Sequence, residues 1–214
     1  MHPDFVLQLD HYGVAFGNDV VLADLCLDVP RNGVVTLMGP GGVGKSTLLR
    51  SLAGLNKGNP SWRAWGQAVY NGTRIGEGAP PAFVMQKAKL VTASVLENLL
   101  SNLPERSGLT QREQTVRARE ILSEFQLDEL ADGLMEDVIS LPLGMQRCLS
   151  IVRATLPNPP LVCVDEPTME LDEEFHEHVL RIIQREAERR AVLMVTHNRQ
   201  DALTLGGHAA LLVG

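Results

Sequence analysis

Short apolar segments separated by turn residues dominate the first third of the chain. Residues 5–9, 25–29 and 34–38 are mainly apolar, and the last of these is rich in β-branched side chains. Such segments are typical of strands. Further strands are predicted at residues 67–70 and 82–85, inside a stretch rich in Gly, Pro and Asn. The pattern therefore predicts a β-rich start.

The pattern becomes helical from residue 94 onwards. Ser94 is followed three residues later by Glu97, and Thr110 by Glu113, which is the spacing of a capping box at a helix start. The second pair precedes an apolar stripe for a helix packed on one face, made of Val116, Ile121, Leu122 and Phe125. This segment is interpreted as a helical insertion.

Strands and helices alternate in the last third of the chain. Residues 161–164 form a continuous apolar run, and residues 192–195 and 209–213 read as two more strands. Between the first two of these strands, a helix is predicted from apolar residues spaced by four, which would form one face: Leu171, Phe175, Val179 and Ile183. We therefore expect one α/β domain, with a core at 1–86 and 157–214 and an inserted helical subdomain at 87–156.

Charge and hydropathy exclude several classes of partner. The 19 Lys and Arg against 26 Asp and Glu leave a net charge of −7, which argues against nucleic-acid binding because phosphate contacts need clustered cations. No apolar run approaches the ~18 residues of a membrane span, so direct membrane insertion is not expected. Residues 1–4 lack the basic and apolar regions of a signal peptide. The chain is expected to be cytoplasmic.

The three cysteines, Cys26, Cys148 and Cys163, are odd in number and far apart. Two of them lie inside apolar runs, where a free cysteine behaves as a small hydrophobic residue. All three are predicted to be reduced packing residues and not ligands.

A phosphate-binding loop is the strongest chemical signal in the sequence. Residues 39–46 read GPGGVGKS between an apolar strand and a helix, which fits the G-x-x-x-x-G-K-[ST] pattern in its required context. Glycines let backbone amides approach a phosphate, and the helix start adds a positive dipole. The predicted nucleotide-binding residues are Gly39, Pro40, Gly41, Gly42, Val43, Gly44, Lys45, Ser46 and Thr47.

Within this loop three residues have separate predicted roles. Lys45 supplies a full positive charge to the β- and γ-phosphates, and Ser46 is a predicted Mg²⁺ ligand. Thr47 is expected near the α-phosphate. The loop therefore predicts a nucleoside triphosphate and Mg²⁺ as ligands.

Two carboxylates end the apolar run 161–164. Mg²⁺ is held through few carboxylates and nucleotide oxygens, so Asp165 is predicted to hold the metal and Glu166 to act as general base towards an attacking water. His197 follows the strand at 192–195 and is a candidate for contact with the γ-phosphate. A lone histidine after a strand is as often structural, and both interpretations stay open at this point.

These motifs, in this order, resemble the ATP-binding cassette (ABC) family of ATPases. Gln86 looks like the glutamine of the Q-loop, residues 169–172 look like the D-loop, and His197 looks like the switch histidine. The resemblance implies that Gln86 senses the metal and water. Phe16 is similar to the aromatic residue that stacks on adenine, with Tyr12 as a competitor. The implied fold is the ABC type of P-loop NTPase, α/β, with a mostly parallel sheet, an N-terminal antiparallel β subdomain and an inserted helical subdomain.

One motif departs from the family pattern. Family members carry Leu-Ser-Gly-Gly-Gln or a close relative, whose serine and glycine amides bind ATP held by the opposite subunit. The aligned stretch here is 141–147, LPLGMQR, with Pro142 and Leu143 in place of serine and glycine. Proline has neither a hydroxyl nor an amide hydrogen, and each lost donor is worth roughly 3 kcal/mol, or about a hundredfold in rate.

Three explanations of this departure remain open. Hydrolysis persists through Gly144 and the helix dipole, or a second cassette supplies an intact signature, or the subunit is mainly a nucleotide-gated regulator. The retention of Lys45, Asp165, Glu166 and His197 favours an active or semi-active ATPase.

The resemblance implies ATP and Mg²⁺ as the cofactors of a Mg-dependent ATPase, which powers a transporter as a head-to-tail dimer, with itself or with another cassette. A separate membrane permease is the implied partner, and it would hold the chain on the inner face of the cell membrane. Residues 86–89 and 94–99 are similar to the Q-loop region of small-solute importers, phosphate-type among them. The alternatives are a soluble non-transport ABC ATPase and a nucleotide-gated regulatory module with weak hydrolysis. An end at residue 214 is early for the family, so a missing or shortened C-terminal element is expected.

Overall fold

The computed structural model describes residues 4–86, 90 and 93–213. The expected subdomain boundary at 87 and the importer-like stretch 87–89 lie outside the described residues. In chain order the strands are β1 (Phe5–Phe16), β2 (Asp19–Pro30), β3 (Gly33–Met38), β4 (Trp62–Tyr70), β5 (Thr73–Arg74), β6 (Ala82–Val84), β7 (Leu161–Asp165), β8 (Ala191–Val195) and β9 (His208–Leu211). The helices are α1 (Lys45–Leu52), α2 (Val95–Leu100), α3 (Gln111–Glu124), α4 (Glu129–Asp132), α5 (Leu143–Thr155), α6 (Glu173–Ala187) and α7 (Arg199–Leu205).

The strands form two sheets. One is antiparallel with the order β2-β1-β4-β5, and the other has the order β6-β7-β8-β3-β9. Every strand pair of the second sheet is parallel. The expected α/β class, with a parallel core sheet and an N-terminal antiparallel unit, is confirmed.

The central strands of the parallel sheet are buried on both faces. All residues of β7 and β8 are buried, as parallel sheets covered on both faces require. Leu161 and Cys163 of β7 belong to a core shared with the antiparallel sheet and α1, while Val162 and Val164 belong to a second core shared with α5 and α6. Successive strand residues face opposite sides of the sheet, so β7 packs against both cores. Its carboxyl end is therefore held between the two cores.

The segment from 94 to 156 is mainly helical, as the pattern predicts. Thr110 and Glu113 form the complete capping box at the start of α3, and Ser94 accepts a hydrogen bond from the Glu97 amide at the start of α2. The predicted apolar stripe of α3 is buried at Ile121, Leu122 and Phe125. Val116 is 52% exposed, so its predicted place in that stripe is wrong.

β1 and β2 are longer than their apolar runs predict. Both strands continue through charged residues, because an antiparallel sheet with one face in water tolerates them. Cys148 and Cys163 are buried, as predicted, and burial raises the pKa of each thiol to about 12. Cys26 is exposed on β2, so its predicted packing role is wrong. Within the residues that the structure describes, every helix is too short or too polar to span a membrane.

Candidate functional site

Four predicted site segments follow four strands of the parallel sheet. The glycine-rich loop follows β3, Gln86 lies beyond β6, Asp165 ends β7, and His197 lies beyond β8. Ligands of open α/β sheets bind at the carboxyl ends of such strands. The fold therefore places these segments along one edge of the sheet.

The loop between β3 and α1 depends on glycine at two places. Gly39 has φ +149°, and a Cβ there would lie 2.4 Å from the Leu212 carbonyl oxygen. Gly44 is the N-cap of α1 with φ +100°, and a Cβ there would lie 2.8 Å from the Leu22 side chain. Larger residues would displace the loop at both ends. The remaining positions, Pro40, Gly41, Gly42, Val43 and Thr47, lie on the loop and the first turn of α1.

Lys45 lies under this loop. It is 8% exposed, and its Nζ donates hydrogen bonds of 2.8 Å to the Gly39 carbonyl and 2.9 Å to the Pro40 carbonyl. A buried ammonium is stable only when its donors are satisfied. The loop carbonyls accept from two of the three donors and hold the charge at the mouth of the loop.

Ser46 and Asp165 meet although 119 positions separate them. The Ser46 hydroxyl donates a 3.0 Å hydrogen bond to Asp165 Oδ1. Asp165 is 2% exposed, and burial raises the pKa of its carboxyl, while the Ser46 hydrogen bond opposes that shift. The hydroxyl and the carboxylate are two hard oxygen donors side by side, which is the kind of ligand that Mg²⁺ prefers.

Because burial disfavours the ionised form of Asp165, the charge opposes folding at neutral pH. We expect Asp165→Asn to raise the thermal midpoint of unfolding in nucleotide-free protein at pH 7, since asparagine keeps the size and removes the charge. The raised folded-state pKa means that this penalty disappears as the pH falls below the ordinary aspartate value of about 3.9. Calorimetry at pH 7 and at progressively lower pH checks this, and a lower midpoint at pH 7 for the variant would contradict it.

Glu166 and His197 form the second pair at this edge. His197 Nδ1 lies 2.9 Å from Glu166 Oε2, and the His197 amide donates to the same oxygen at 3.4 Å. Glu166 adopts φ +47°, and its amide donates a 2.9 Å hydrogen bond to the Val195 carbonyl. The left-handed backbone turns this carboxylate away from the strand direction, and the histidine holds it there.

Gln86 lies against the segment after β7. Its Nε2 donates a 3.3 Å hydrogen bond to Met169 Sδ, within the stretch compared above with the D-loop. The sheet register brings this about, because β6 pairs with β7 and Val84 lies opposite Val164. The predicted role of Gln86 at the metal stays a prediction, since its side-chain nitrogen is directed towards Met169.

Of the two aromatic candidates, Tyr12 belongs to the core. It is 4% exposed and packs in the core beneath the antiparallel sheet, and burial raises the pKa of its hydroxyl. Phe16 ends β1, is partly buried and lies opposite Trp62 of β4. Tyr12 is therefore a poor candidate for stacking on a base, and Phe16 remains the predicted one.

The altered signature begins helix α5. Leu143 is its first residue and is 41% exposed, and Pro142 at the N-cap makes no side-chain capping hydrogen bond. A Cβ on Gly144 would lie 2.1 Å from the ring of Phe175 in α6. Gly144 is thus required by packing within the chain, which is a reason for its presence independent of phosphate binding.

Two buried polar residues near the site were missed by sequence reasoning. Arg147 of α5 is 3% exposed, its Nη1 donates to the Met85 carbonyl at 3.4 Å, and burial lowers the pKa of its guanidinium while Glu170 and Asp165 raise it. The available signal was a cation next to the apolar stretch of α5. The carboxylates near it, Glu170 and Asp165, are distant in sequence, so the hydrophobic pattern could not predict that they lie close to Arg147.

Asp201 of α7 is the second missed residue. It is fully buried, and it accepts a 2.6 Å hydrogen bond from the Thr168 hydroxyl and lies 2.8 Å from His176 Nε2. These contacts join the segment after Glu166 to α6 and to the helix that follows His197. The arrangement fixes the relative position of the two segments that carry the Glu166–His197 pair.

Comparisons with known proteins agree with this geometry. The model of the family described as ABC transporter matches residues 22–169. The chain is 29% identical to the phosphate import ATP-binding protein PstB 3 of Natronomonas pharaonis, over 97% of this chain and 78% of that protein. It is 30% identical to the phosphate import ATP-binding protein PstB 2 of Shouchella clausii, over 96% of this chain and 79% of that protein.

Among solved structures, the chain resembles the dimeric post-hydrolysis state of the ATP-binding cassette MJ0796 bound to ADP and Pi. The TM-score is 0.78 at 24% identity, over 96% of this chain and 94% of that chain, which establishes the likeness of the fold. Because the family model covers well over half of the sequence, from the residues that precede the glycine-rich loop to Met169, the chain belongs to the ABC transporter family and is one of its ATPase cassettes.

Proposed function

We propose that this chain binds ATP on loop 39–47 and hydrolyses it to drive a separate membrane permease for a small solute of the phosphate class. The observation that carries the proposal is the meeting of Ser46 with Asp165 and of Glu166 with His197 at one sheet edge. The solute class rests on the similarity to phosphate import subunits.

The residues at this edge fit a nucleotide and its metal. Backbone amides of residues 41–47 and the N-terminus of α1 suit phosphate oxygens, and Lys45 adds the charge. Ser46 and Asp165, joined by Gln86, would hold Mg²⁺, which supplies charge neutralisation on the β- and γ-phosphates when bound. Phe16 would stack on the adenine.

Glu166 is the proposed general base. Its carboxylate accepts a proton from the attacking water, and His197 fixes which oxygen is presented by bonding Oε2. The left-handed backbone at Glu166 also directs this side chain, so the position of the carboxylate does not depend on the side-chain rotamer alone. His197 is 64% exposed at its side chain, so its Nε2 remains accessible to a γ-phosphate.

The proposed working unit is a head-to-tail dimer, with residues 87–156 as the inserted helical subdomain that faces the permease. ATP closes the dimer, hydrolysis reopens it, and the lobe transmits the movement. The permease would hold the chain on the inner face of the cell membrane. Nucleotide-dependent co-purification of the chain with a multi-span membrane protein tests the association with a permease. Solute uptake by cells that stops when the chain is removed tests whether the transporter is an importer. Uptake unaffected by removal would contradict the proposal.

A second candidate is a nucleotide-gated regulatory module with weak hydrolysis. Pro142 at the N-cap and the exposed Leu143 favour it. Pro142 lacks the hydroxyl and the amide hydrogen that family members offer to the opposite ATP, and Leu143 brings a branched side chain to the place where a phosphate would approach the backbone. A soluble ABC ATPase without a permease is distinguished from both by the co-purification experiment. Phosphate release by the purified chain distinguishes an active ATPase from the regulatory module.

The altered signature provides a test by repair. We expect the double variant Pro142→Ser, Leu143→Gly to raise ATP turnover of the homodimer, by up to about a hundredfold if one donor is restored in the transition state. Steady-state phosphate release against the unchanged chain measures this. An unchanged rate would indicate that a different cassette supplies the signature surface to the Glu166 site.

A further inference from the structure

Two adjacent β-bulges interrupt the pairing of β1 with β2. Leu9 pairs with Leu27 and Tyr12 pairs with Leu25, so Asp10 and His11 together oppose Cys26 alone. A bulge of this kind changes the direction of a side chain. It brings two consecutive residues of one strand to a single residue of the other.

The second bulge lies on the opposite strand. Tyr12 pairs with Leu25 and Val14 pairs with Leu22, so two residues of β2, one of which is Asp24, oppose a single residue of β1. His11 has φ +49° and Asp24 has φ +56°. Left-handed backbone in two non-glycine residues is costly, and the surrounding sheet has to maintain it.

The other neighbour of β1 supports the same conformation. β1 and β4 shift register between the pairs Asp10 with Gln67 and Gly13 with Trp65. Gly66 of β4 has φ +78°, and a Cβ there would lie 2.2 Å from the His11 carbonyl oxygen. The backbone of His11 is therefore constrained from both sides, as a binding site requires of its ligands.

The side chains at the bulges form a compact cluster of metal-ligand types. One ligand atom from each of Asp10, His11 and Cys26 lies within 4.8 Å of the other two. His11 Nε2 is 3.7 Å from Asp10 Oδ1, and Cys26 Sγ accepts a 3.5 Å hydrogen bond from the His11 amide. Asp24 Oδ1 contacts His11 Nδ1, which leaves Nε2 for a metal.

We propose that Asp10, His11 and Cys26 form a binding site for a thiophilic divalent cation of the Zn²⁺ type, outside the nucleotide site. A thiolate, an imidazole and a carboxylate suit Zn²⁺, which takes S, N and O ligands in a tetrahedron. Mg²⁺ prefers oxygen ligands only, so this site and the Ser46–Asp165 pair select different metals. The fourth position is open to water.

Asp24 is a positioning residue of this site. A carboxylate on the second ring nitrogen of a ligating histidine fixes the tautomer and the ring orientation, and its loss typically lowers metal affinity 10–100-fold, roughly. The side chains of Asp10 and His11 are 62% and 70% exposed. The site is open to solvent, so a metal reaches it without unfolding of the sheet.

Titration of the reduced, metal-stripped full chain with Co²⁺ tests the proposal. We expect a cobalt–thiolate charge-transfer band that saturates at about one Co²⁺ per chain and disappears when Zn²⁺ is added. The band identifies the site, because Cys148 and Cys163 are buried and the Ser46–Asp165 pair has no sulfur. Cys26→Ser should abolish the band, and His11→Asn, which tolerates the left-handed backbone, should weaken binding strongly.

Matched variants separate ligands from neighbours. Asp28 lines the same 470 Å³ groove as Asp10 and Cys26 but lies outside the cluster. The variant Asp28→Asn should therefore leave the affinity for Co²⁺ unchanged. Asp24→Asn should lower it about 10–100-fold. ATP binding, measured in parallel, should be unchanged in every variant. A titration without a band, a band that persists in Cys26→Ser, or equal affinity in His11→Asn would each overturn the proposal.

Discussion

Replacement of Lys45 with alanine is expected to abolish ATP binding at practical nucleotide concentrations, with a dissociation constant raised about 100-fold or more. A charge-assisted hydrogen bond contributes about 1.5–3 kcal/mol, and the upper value corresponds to about a hundredfold in affinity. Lys45 also bonds the Gly39 and Pro40 carbonyls, so its loss removes both the phosphate charge and a support of the loop. Equilibrium titration with a fluorescent ATP analogue measures the change.

Lys57→Ala is the matched control for this experiment. Lys57 donates a 3.2 Å hydrogen bond to the Gly76 carbonyl on the surface, so the substitution removes the same charge and the same kind of contact away from the loop. Its affinity for ATP should equal that of the unchanged chain. Equal affinity in Lys45→Ala would remove the basis of the proposed nucleotide site.

Glu166→Gln is expected to lower ATP turnover at least about 100-fold, because a positioned general base contributes roughly 10²–10⁴ in rate. Glutamine keeps the shape and still accepts the His197 hydrogen bond, so nucleotide binding should persist. The variant should therefore accumulate as an ATP-loaded dimer with Mg²⁺. Phosphate release and size-exclusion chromatography with ATP measure the two effects.

Glu177→Gln provides the comparison for the base. Glu177 lies on the surface of α6 and pairs with Arg181 at 3.4 Å, where an exposed pair contributes little to stability. Its turnover should match that of the unchanged chain. If Glu166→Gln also hydrolysed at that rate, Glu166 would not be the base and the attacking water would have another partner.

Much of the fold could be predicted from the sequence, because the patterns that specify it are local. The glycine-rich loop was predicted between a strand and a helix, and the structure has β3 ending at Met38 and α1 beginning at Lys45. The buried strands β7 and β8 are continuous apolar runs, and the capping box at Thr110 uses residues three apart. Each of these features depends on neighbours within one turn or one strand, which the order of residues specifies directly.

The longer antiparallel strands were only partly predicted. β1 and β2 pass through Asp10, His11 and Asp24, which interrupt the apolar pattern. The register between them shifts at four places, two of which are the bulges around His11 and Asp24. Periodicity does not report such shifts, because a bulge depends on the register between two strands. The exposure of Cys26 follows from the same register, and for this reason its predicted packing role was wrong.

The order of residues specifies which chemical groups this protein has: a phosphate loop, an acidic pair after a buried strand, a histidine after the next strand, and a signature without its serine. Which of these groups meet is known only from the folded chain. Ser46 reaches Asp165, His197 holds Glu166, Gln86 turns to Met169, and Asp10, His11 and Cys26 converge on a bulge. Periodicity describes the faces of single elements, whereas contacts between distant residues depend on sheet order, strand register and the packing of two cores around one sheet.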